Sequence, residues 1–483
     1  MENLFSIAVF PCFLILSTLT AASAQKQRYA NISLGSSLNP STNSSWLSPS
    51  GLYAFGFYKI TNGYAVGIFI AGIPEKTVVW TANRDDPVFP SNTILLLTDD
   101  GRLILQQEDR DDEIIVNPGQ SVASASLLDN GNFVLYDSSR RIRWQSFDHP
   151  TDTLLPGQRL PAGEEILSSA SETNPARGIF RLKMQTDGNL VQYPVGAEDG
   201  PNNAYYSSAT YGMGNNLSLN LDNNGHLYFF NGSSVIRNLR TGQYQTNTIY
   251  LMRIDVDGIF RLYNRSLDRQ GSWIAEWSST KDRCAPKGLC GLNSFCDIKD
   301  GVLGCECLPE FDYVNPGDWR GCERNSAMEG CKAKDQNVSY EIKSLHETLW
   351  QDTNYADVEG LTKEDCSKAC LEDCDCGAAL FLGNHSEYGR CKKQKLPLRY
   401  GRRLQSDGLG DGQRISLVKV STSASVSDNS AKEIKKKPKI LIIGISLVAL
   451  AALILAISWV YVHRNRVGTC TISNDTNVEL IED

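Results

Sequence analysis

The residues from about Tyr29 to Thr280 alternate between apolar and polar side chains over short stretches, which Gly, Asn, Asp and Pro separate. A period of two is typical of β-strands that bury one face, and the separating residues favour tight turns. Little of this region has the 3.6-residue period of a helix. The pattern therefore predicts a mainly β fold, as a sandwich, prism or barrel.

Five segments of this region share a polar turn with glycine, followed by alternating apolar residues. Asp-Gly and Asn-Gly supply the positive φ angles that tight hairpin turns require. Successive segments within each half lie about 30 to 37 residues apart, which predicts one small sheet per segment. The segments are Thr98–Gln106, Leu128–Tyr136, Gln185–Tyr193, Asp222–Phe230 and Asp255–Tyr263.

A different pattern occurs near the C-terminus, where Ile440–Val462 contains 23 residues without a charged side chain. A helix of this length measures roughly 34 Å, and a hydrocarbon core is about 30 Å thick. Trp459 and Tyr461 fit an interfacial position. We predict a transmembrane helix at 440–462, with a buried core helix as the alternative. A stalk at 421–439 would precede it, and a cytoplasmic tail at 463–483 would follow.

The N-terminal segment predicts secretion. Phe5–Leu19 is mostly apolar and Ala22–Ala24 provides a cleavage site, so 1–24 is predicted to be a signal peptide, with a membrane anchor as the alternative. Lysines before the apolar span outnumber arginines after it, which alone would place the N-terminal side in the cytoplasm. The signal peptide, the grouped cysteines and the glycosylation sequons favour an extracellular N-terminal side. These sequons are at Asn31, Asn43, Asn216, Asn231, Asn264, Asn337 and Asn384.

Length, charge and missing motifs exclude several functions. The 483 residues suffice for three or four domains, and the net charge of −8 argues against a nucleic-acid partner. The sequence contains no G-x-S-x-G, H-E-x-x-H or protein-kinase motif set. Asp255–Gly258 lacks the further ligands of a calcium loop and predicts a hairpin turn. We therefore predict no catalytic residue, no metal site and no cofactor, and we expect that the chain as given is not an enzyme.

Twelve cysteines between Cys284 and Cys391 form two groups of six. In an extracellular chain such groups predict disulfide frameworks, because short segments bury too little apolar surface to fold alone. Six cysteines allow 15 pairings, so the partners stay open at this point. Zinc at Cys305-x-Cys307 is the alternative, but no histidine is near. Glu364–Glu372 predicts a helix with two cysteines one turn apart.

The segment Gln185–Tyr193 carries polar groups and one valine at alternate positions. In a strand these side chains would share one face. The amides, carboxylate and phenol can bond sugar hydroxyls, and the valine can pack on the carbon ring. A half-exposed strand of purely structural role is the alternative. The five residues are Gln185, Asp187, Asn189, Val191 and Tyr193.

The spacing Q-x-D-x-N-x-V-x-Y resembles the mannose-binding signature of bulb-type (G-type) lectins. Val78–Val88 and Trp144–Gln158 resemble the lectin region of plant S-locus-type receptor kinases, and the resemblance covers nearly all of the chain outside the tail. It implies tandem bulb-type lectin domains of β-prism II type at 29–150 and 151–279, with mannose-type glycans as partners. In the first domain it implies a weaker site at Asn132, Val134 and Tyr136.

The two cysteine groups resemble an EGF-like module at 280–323 and a PAN/apple α+β module at 331–420. In relatives the PAN module supports contacts between proteins, so the resemblance implies other receptor-like kinases or a second copy as partners. It also implies the cysteine pairs Cys284–Cys296, Cys290–Cys305, Cys307–Cys322, Cys366–Cys391, Cys370–Cys376 and Cys331–Cys374.

Two hypotheses result from this resemblance. In the first, the protein is a plant plasma-membrane glycan receptor, single-pass type I, that lacks a kinase and acts through partner receptors or as a decoy. In the second, the sequence is an incomplete product of a lectin receptor serine/threonine kinase, whose ATP-dependent kinase domain is missing from it.

Overall fold

The computed structural model describes residues 31–422, apart from 43, 86–87, 109, 244, 269–270, 316–319, 325–338, 352–353, 384–386 and 405–413. The chain divides into two compact units, Met1–Ser423 and Ala424–Asp483, and the described residues all lie in the first. The described residues are mainly β, with one α-helix of ten residues. No helix among them is long and apolar enough to cross a membrane.

Several sequence-based predictions lie outside the described residues. They are the signal peptide 1–24, the stalk residues 423–439, the apolar span 440–462, the tail 463–483, Cys331, and the sequons at Asn43, Asn337 and Asn384. The first two predicted stalk residues, Ser421 and Thr422, instead belong to the strand Arg414–Thr422, where they pair with Tyr340 and Ser339.

Residues 31–145, called domain 1 below, form three four-stranded antiparallel sheets. One sheet is a meander, and each of the others adds a short strand from the start of the domain to three consecutive strands. Phe55, Leu95 and Phe133, one from each sheet, are fully buried in a shared core. The first sheet contains β3 (Ser45–Leu47), β4 (Tyr53–Ile60), β5 (Gly63–Ile70) and β6 (Thr77–Thr81); the second contains β2 (Ser37–Leu38), β7 (Ile94–Leu97), β8 (Leu103–Gln107) and β9 (Arg110–Val116); the third contains β1 (Ile32–Ser33), β10 (Ser124–Leu127), β11 (Phe133–Tyr136) and β12 (Ile142–Gln145).

Residues 153–278, called domain 2 below, repeat this strand order. Phe180, Leu219 and Phe260 come from its three sheets and are fully buried in its core. Each such side chain contributes about 1.5–3 kcal/mol by leaving water. The first sheet contains β15 (Glu165–Ser171), β16 (Asn174–Met184), β17 (Leu190–Pro194) and β18 (Tyr206–Ser207); the second contains β14 (Arg159–Pro161), β19 (Ser218–Leu221), β20 (Leu227–Phe230) and β21 (Val235–Arg240); the third contains β13 (Thr153–Leu154), β22 (Thr248–Ile254), β23 (Phe260–Ser266) and β24 (Ile274–Ser278).

The five repeated segments place their turns between the second and third strands of five of these six sheets. The turn glycines Gly101, Gly131, Gly188, Gly225 and Gly258 have φ between 71° and 91°. A side chain there would be strained, so the positive φ that the turn pattern predicts is confirmed. The remaining sheet turns between β4 and β5 at residues 61–62, which Gly63 follows as the first residue of β5.

The C-terminal part of the described chain is built from small sheets and one helix. Helix α1 (Lys363–Glu372) begins after Thr362, whose hydroxyl accepts a hydrogen bond from the Asp365 backbone N–H at 3.1 Å. A five-stranded antiparallel sheet contains β29 (Ser339–His346), β35 (Arg414–Thr422), β32 (Ala378–Gly383), β33 (Tyr388–Gln394) and β31 (Ala356–Thr362). A four-stranded sheet contains β26 (Val302–Cys307), β25 (Ser294–Lys299), β34 (Gly401–Arg403) and β30 (Thr348–Trp350), and a hairpin contains β27 (Phe311–Tyr313) and β28 (Cys322–Arg324).

Disulfide bonds hold these small cores together. The pairs among the described residues are those that the resemblance implies. Each disulfide restricts the unfolded chain and thereby stabilises the fold by about 2–4 kcal/mol. Cys374 is also disulfide-bonded. The pairs are Cys284–Cys296, Cys290–Cys305, Cys307–Cys322, Cys366–Cys391 and Cys370–Cys376.

Candidate functional site

The segment Gln185–Tyr193, called the 185–193 hairpin below, forms the turn between β16 and β17 and most of β17. The Gln185 N–H donates to the Asn189 carbonyl at 2.8 Å and closes the turn. Gln185, Asp187 and Asn189 therefore lie in the turn, and only Val191 and Tyr193 lie on the strand. The expectation of one common strand face is wrong for the first three residues, because the turn begins earlier than the period-two pattern suggested.

The turn presents three polar atoms that the described chain leaves without a hydrogen-bond partner: Gln185 Oε1, Asp187 Oδ2 and Asn189 Nδ2. The other polar atom of each side chain is engaged. Gln185 Nε2 donates to the Tyr193 hydroxyl at 3.1 Å, and Asp187 Oδ1 accepts from the Asn189 backbone N–H at 2.9 Å. Two acceptors and one donor consequently face outward from a fixed turn.

Asn189 is held most firmly of the three. Its Oδ1 accepts from the hydroxyls of Ser207 and Ser208, both at 3.1 Å, and from the Thr210 backbone N–H at 3.2 Å. These bonds orient the amide so that the Nδ2 group carries the remaining donors. A preorganised donor loses little entropy when it meets a ligand.

Val191 and Tyr193 are covered, since each is only 2% exposed. The cover comes from β16 and from the loop after β17. On β16, Arg181 lies opposite Tyr193, and Lys183 lies opposite Val191. The Arg181 guanidinium is 4.8 Å from the centre of the Tyr193 ring. Asp199 completes the cover with ion pairs of 2.7 Å to each of these two basic side chains.

The electrostatics keep this cover charged. Burial raises the pKa of Tyr193, and the Asp199 carboxylate raises it further. Burial opposes ionisation of Asp199, but the hydrogen bonds from Lys183 and Arg181 outweigh it and lower the pKa of this carboxyl. Near neutral pH the phenol is therefore neutral and the carboxylate is ionised, so the ion pairs are fully formed.

The equivalent residues of domain 1 serve the fold. Asn132 is 5% exposed, and its Oδ1 accepts from the Ser146 hydroxyl and the Phe147 N–H, both at 3.2 Å. Its Nδ2 donates to Gln145 Oε1 at 2.8 Å. Val134 is fully buried, and Tyr136 is half-buried. A sugar would find no presented amide at Asn132 and no apolar contact at Val134.

The last repeat, Asp255–Tyr263, is called the 255–263 hairpin below, and its side chains form a different network. Arg261 bonds Asp255 at 2.5 Å and Asp257 at 2.7 Å, and the Tyr263 hydroxyl donates to Asp255 at 2.6 Å. Burial raises the pKa of Asp255 despite these bonds. These four residues line a cavity between domains 1 and 2. The sequence did not single them out as a site, because only Asp257 and Tyr263 keep the residues of the signature.

The described sequons differ in exposure. Asn31 and Asn216 are exposed, and Asn231 is half-buried. Asn264 is only 8% exposed, and its Nδ2 donates to Glu276 Oε1. The prediction of a glycan on Asn264 is therefore corrected, since a glycosylated amide must reach solvent. Among the residues that the structure describes, no group of three or more His, Cys, Asp or Glu is placed to hold a metal ion.

These features define a protein with β-prism-like domains of three sheets and a hairpin that presents two hydrogen-bond acceptors and one donor group. The family described as D-mannose binding lectin (B_lectin) matches residues 77–174. The G-type lectin S-receptor-like serine/threonine-protein kinase LECRK1 of Oryza sativa subsp. japonica is 31% identical over 515 residues, covering 98% of this chain and 61% of that protein. The kinase RLK1 of Arabidopsis thaliana, with the same description, is 28% identical over 85% of this chain and 53% of its own length.

Over the length that it shares with these relatives, the chain is similar to the G-type lectin S-receptor-like serine/threonine-protein kinases. It spans about 61% of the rice protein. Among solved structures it is similar to a monomeric monocot mannose-binding lectin from Gastrodia elata, at 25% identity over 27% of this chain and 98% of that one, with a TM-score of 0.21. The mannose-specific agglutinin from snowdrop (Galanthus nivalis) is 23% identical over 27% of this chain and 97% of its own, with a TM-score of 0.19.

Proposed function

We propose that this protein is a cell-surface glycan receptor that binds mannose-type sugars at the 185–193 hairpin. The observation that carries the proposal is the set of presented atoms Gln185 Oε1, Asp187 Oδ2 and Asn189 Nδ2. Neighbouring hydroxyls of a hexose both donate and accept, so they can bond two acceptors and one donor together. The match of residues 77–174, which end before this hairpin, to a family described as D-mannose binding lectin supports the choice of sugar.

Binding at this site is expected to be weak for a single sugar. The covered Val191 and Tyr193 add no contact area while Asp199 holds its ion pairs. Three hydrogen bonds contribute about 1 kcal/mol each, or somewhat more at the carboxylate. This corresponds to a dissociation constant in the millimolar range, since about −4.1 kcal/mol gives 1 mM. Useful avidity would then require several sugars on one glycan or several receptors.

The substitution Asn189→Asp tests the proposal. It keeps the Oδ1 acceptor that holds Ser207, Ser208 and Thr210, and it removes the Nδ2 donor. Retention of the purified chain on mannose resin should fall to background, while the unfolding midpoint changes little. Asn223→Asp is the matched control, because Asn223 is exposed in the equivalent turn of the next sheet and gives the same charge change. Equal retention of both variants, or no retention of the parent chain on any mannose glycan, would refute the proposal.

The partial coverage of the relatives by this chain favours a second candidate function. Because the chain spans 61% of the rice kinase, it would be the recognition region of a serine/threonine receptor kinase whose catalytic domain lies outside this sequence. In the first candidate function, a glycan receptor without a kinase, a partner protein supplies the signal or the protein acts as a decoy. Sequencing transcripts past the codon for Asp483 distinguishes the two: an in-frame H-R-D motif supports the second, and a stop codon in every transcript supports the first.

The location and the partners complete the proposal. The apolar segment 440–462 would anchor the protein in the plasma membrane with the N-terminal region outside, in keeping with the receptor-like relatives. The PAN-like region 331–420 would contact other receptor-like kinases or a second copy. Surface biotinylation of intact cells tests the orientation, and co-purification of two differently tagged copies, with and without 331–420, tests self-association.

A further inference from the structure

A cavity of about 1090 Å3 lies between domains 1 and 2. The tip of the β4–β5 hairpin at 59–61 and the exposed tip of the β15–β16 hairpin at 171–173 both line it. Pockets for drug-sized molecules usually measure about 300–1,000 Å3. The cavity is therefore large enough for several linked sugar units.

The two domains are fixed to each other beside this cavity. The Arg84 guanidinium of domain 1 donates to the carbonyls of Leu167, Ser168 and Pro175 in domain 2, at 2.6 to 3.1 Å. Elsewhere along the cavity the Trp273 indole N–H donates to the Thr77 hydroxyl at 3.0 Å. A cleft held by both domains is preformed, so a ligand need not order it.

The charges of the lining side chains nearly cancel. Six basic and five acidic residues line the cavity. Asp255 and Asp257 are paired with Arg261, and Arg84 is occupied by backbone carbonyls. Neither a strongly anionic nor a strongly cationic ligand would find an uncompensated field here. A neutral polyol suits such walls, because its hydroxyls can bond carboxylates and guanidinium groups together.

Aromatic side chains complete the wall. Trp273 and Tyr263 are half-buried and line the cavity, which places ring surface beside the polar groups. Sugar rings have apolar C–H faces that pack on such surfaces. Two of the lining residues, Asp257 and Tyr263, also keep the residues that the sugar signature of the 185–193 hairpin has at the equivalent positions.

We infer that this interdomain cleft binds a neutral oligosaccharide of several hexose units, as a second glycan site beside the 185–193 hairpin. The inference rests on the proposed function, because it assumes that the protein recognises glycans. The hairpin would contact one terminal sugar, and the cleft would contact a run of sugars along a chain. A polymer could thus be recognised by length as well as by the identity of its end.

Blocking the rim tests the cleft. Ser171 is exposed at the tip that lines the cavity, so Ser171→Trp fills the entrance without disturbing a core. Ser138→Trp, in an exposed turn of domain 1, is the matched control. The full chain is titrated calorimetrically with β-1,4-linked mannose and glucose oligomers of increasing length. Affinity for one oligomer series should increase with length and then level off, and Ser171→Trp should weaken the longest oligomer about tenfold or more, relative to the control.

The outcomes separate this inference from the proposed function. If Ser171→Trp binds long oligomers as tightly as Ser138→Trp, or if the parent prefers polygalacturonate or a peptide in this cleft, the cleft inference is wrong while mannose retention at the hairpin stands. If Asn189→Asp leaves mannose retention unchanged but Ser171→Trp still weakens oligomer binding, the hairpin proposal fails and the cleft remains. Loss of both effects overturns both.

Discussion

The 185–193 hairpin and the 255–263 hairpin occupy the same kind of position, the turn between the second and third strands of a sheet in domain 2. The first has all five signature residues, yet two of them are covered by Asp199 and its basic partners. The second has lost the signature, yet its side chains line an interdomain cavity. The comparison teaches that residue identity and access to ligand are separate properties.

One replacement explains much of this difference. Tyr193 and Val191 in the first hairpin form a neutral surface, over which Arg181 and Lys183 extend from the neighbouring strand. In the second hairpin Arg261 takes the place of the valine and brings the positive charge into the hairpin itself. The carboxylates of that hairpin are thereby held within a network and do not need cations from another strand.

The largest effect should come from Arg261→Val, which restores the signature residue in the 255–263 hairpin. It leaves Asp255, whose side chain is 14% exposed, without its ion-pair partner and with only the more distant charge of Arg253, and should cost about 3 kcal/mol of unfolding free energy. Burial already raises the pKa of Asp255, so its ionised form opposes folding. The loss should therefore shrink as pH falls from neutral through this raised pKa, because the protonated carboxyl needs no cation.

Urea unfolding at neutral and acidic pH measures this effect. Arg159→Val, on the exposed side of β14, is the control and should change the unfolding free energy by no more than about 0.5 kcal/mol. A loss for Arg261→Val that is no larger than the control's, or one that grows on acidification, would contradict the role assigned to Arg261.

A smaller effect is expected from Asn132→Ala in domain 1. The change removes an amide that bonds Gln145, Ser146 and Phe147, and it should cost about 1–3 kcal/mol by leaving buried partners unsatisfied. Mannose retention should be unchanged, because this amide presents nothing to a ligand. Thermal unfolding and resin retention are measured on the same preparation. If retention falls while stability does not, Asn132 contributes to sugar binding and the structural role assigned to it is wrong.

Opening the cover on the 185–193 hairpin should have a modest effect in the opposite direction. Asp199→Asn weakens both ion pairs, and these half-exposed pairs contribute about 1 kcal/mol or less to stability. Lys183 would lose its ion-pair partner and Val191 would then reach the sugar, while Glu165 still holds Arg181 over Tyr193. Mannose affinity should increase about 3- to 10-fold. Asp268→Asn, at another exposed carboxylate, is the control in a calorimetric titration. Unchanged affinity would show that the cover does not limit binding.

The sequence predicted the parts of this molecule that depend on local periodicity. Alternation and turn glycines indicated the β-fold, and the family resemblance implied the pairs Cys284–Cys296 and Cys366–Cys391, which the structure contains. The sequence could not show that Asp199 reaches back towards Tyr193, because a period-two pattern does not determine the conformation of a loop. It also gave no sign of the cleft, whose walls join Arg84 to carbonyls more than 80 residues away.

The smallest effect concerns the sequons beside the two hairpins. Gly214, two residues before the exposed Asn216, donates its N–H to the Asp187 carbonyl at 3.2 Å, so a glycan on Asn216 would lie beside the 185–193 hairpin. Asn264, just after the 255–263 hairpin, is buried against Glu276. In the chain expressed in plant cells, Asn216→Gln should remove the mass of one N-glycan and change stability by less than about 0.5 kcal/mol. Ser266→Ala, which abolishes the other sequon without touching its asparagine, should leave the glycan mass unchanged. A glycan lost with Ser266→Ala would mean that Asn264 is modified before domain 2 closes around it, and that the 255–263 hairpin is more accessible during folding than its final burial indicates.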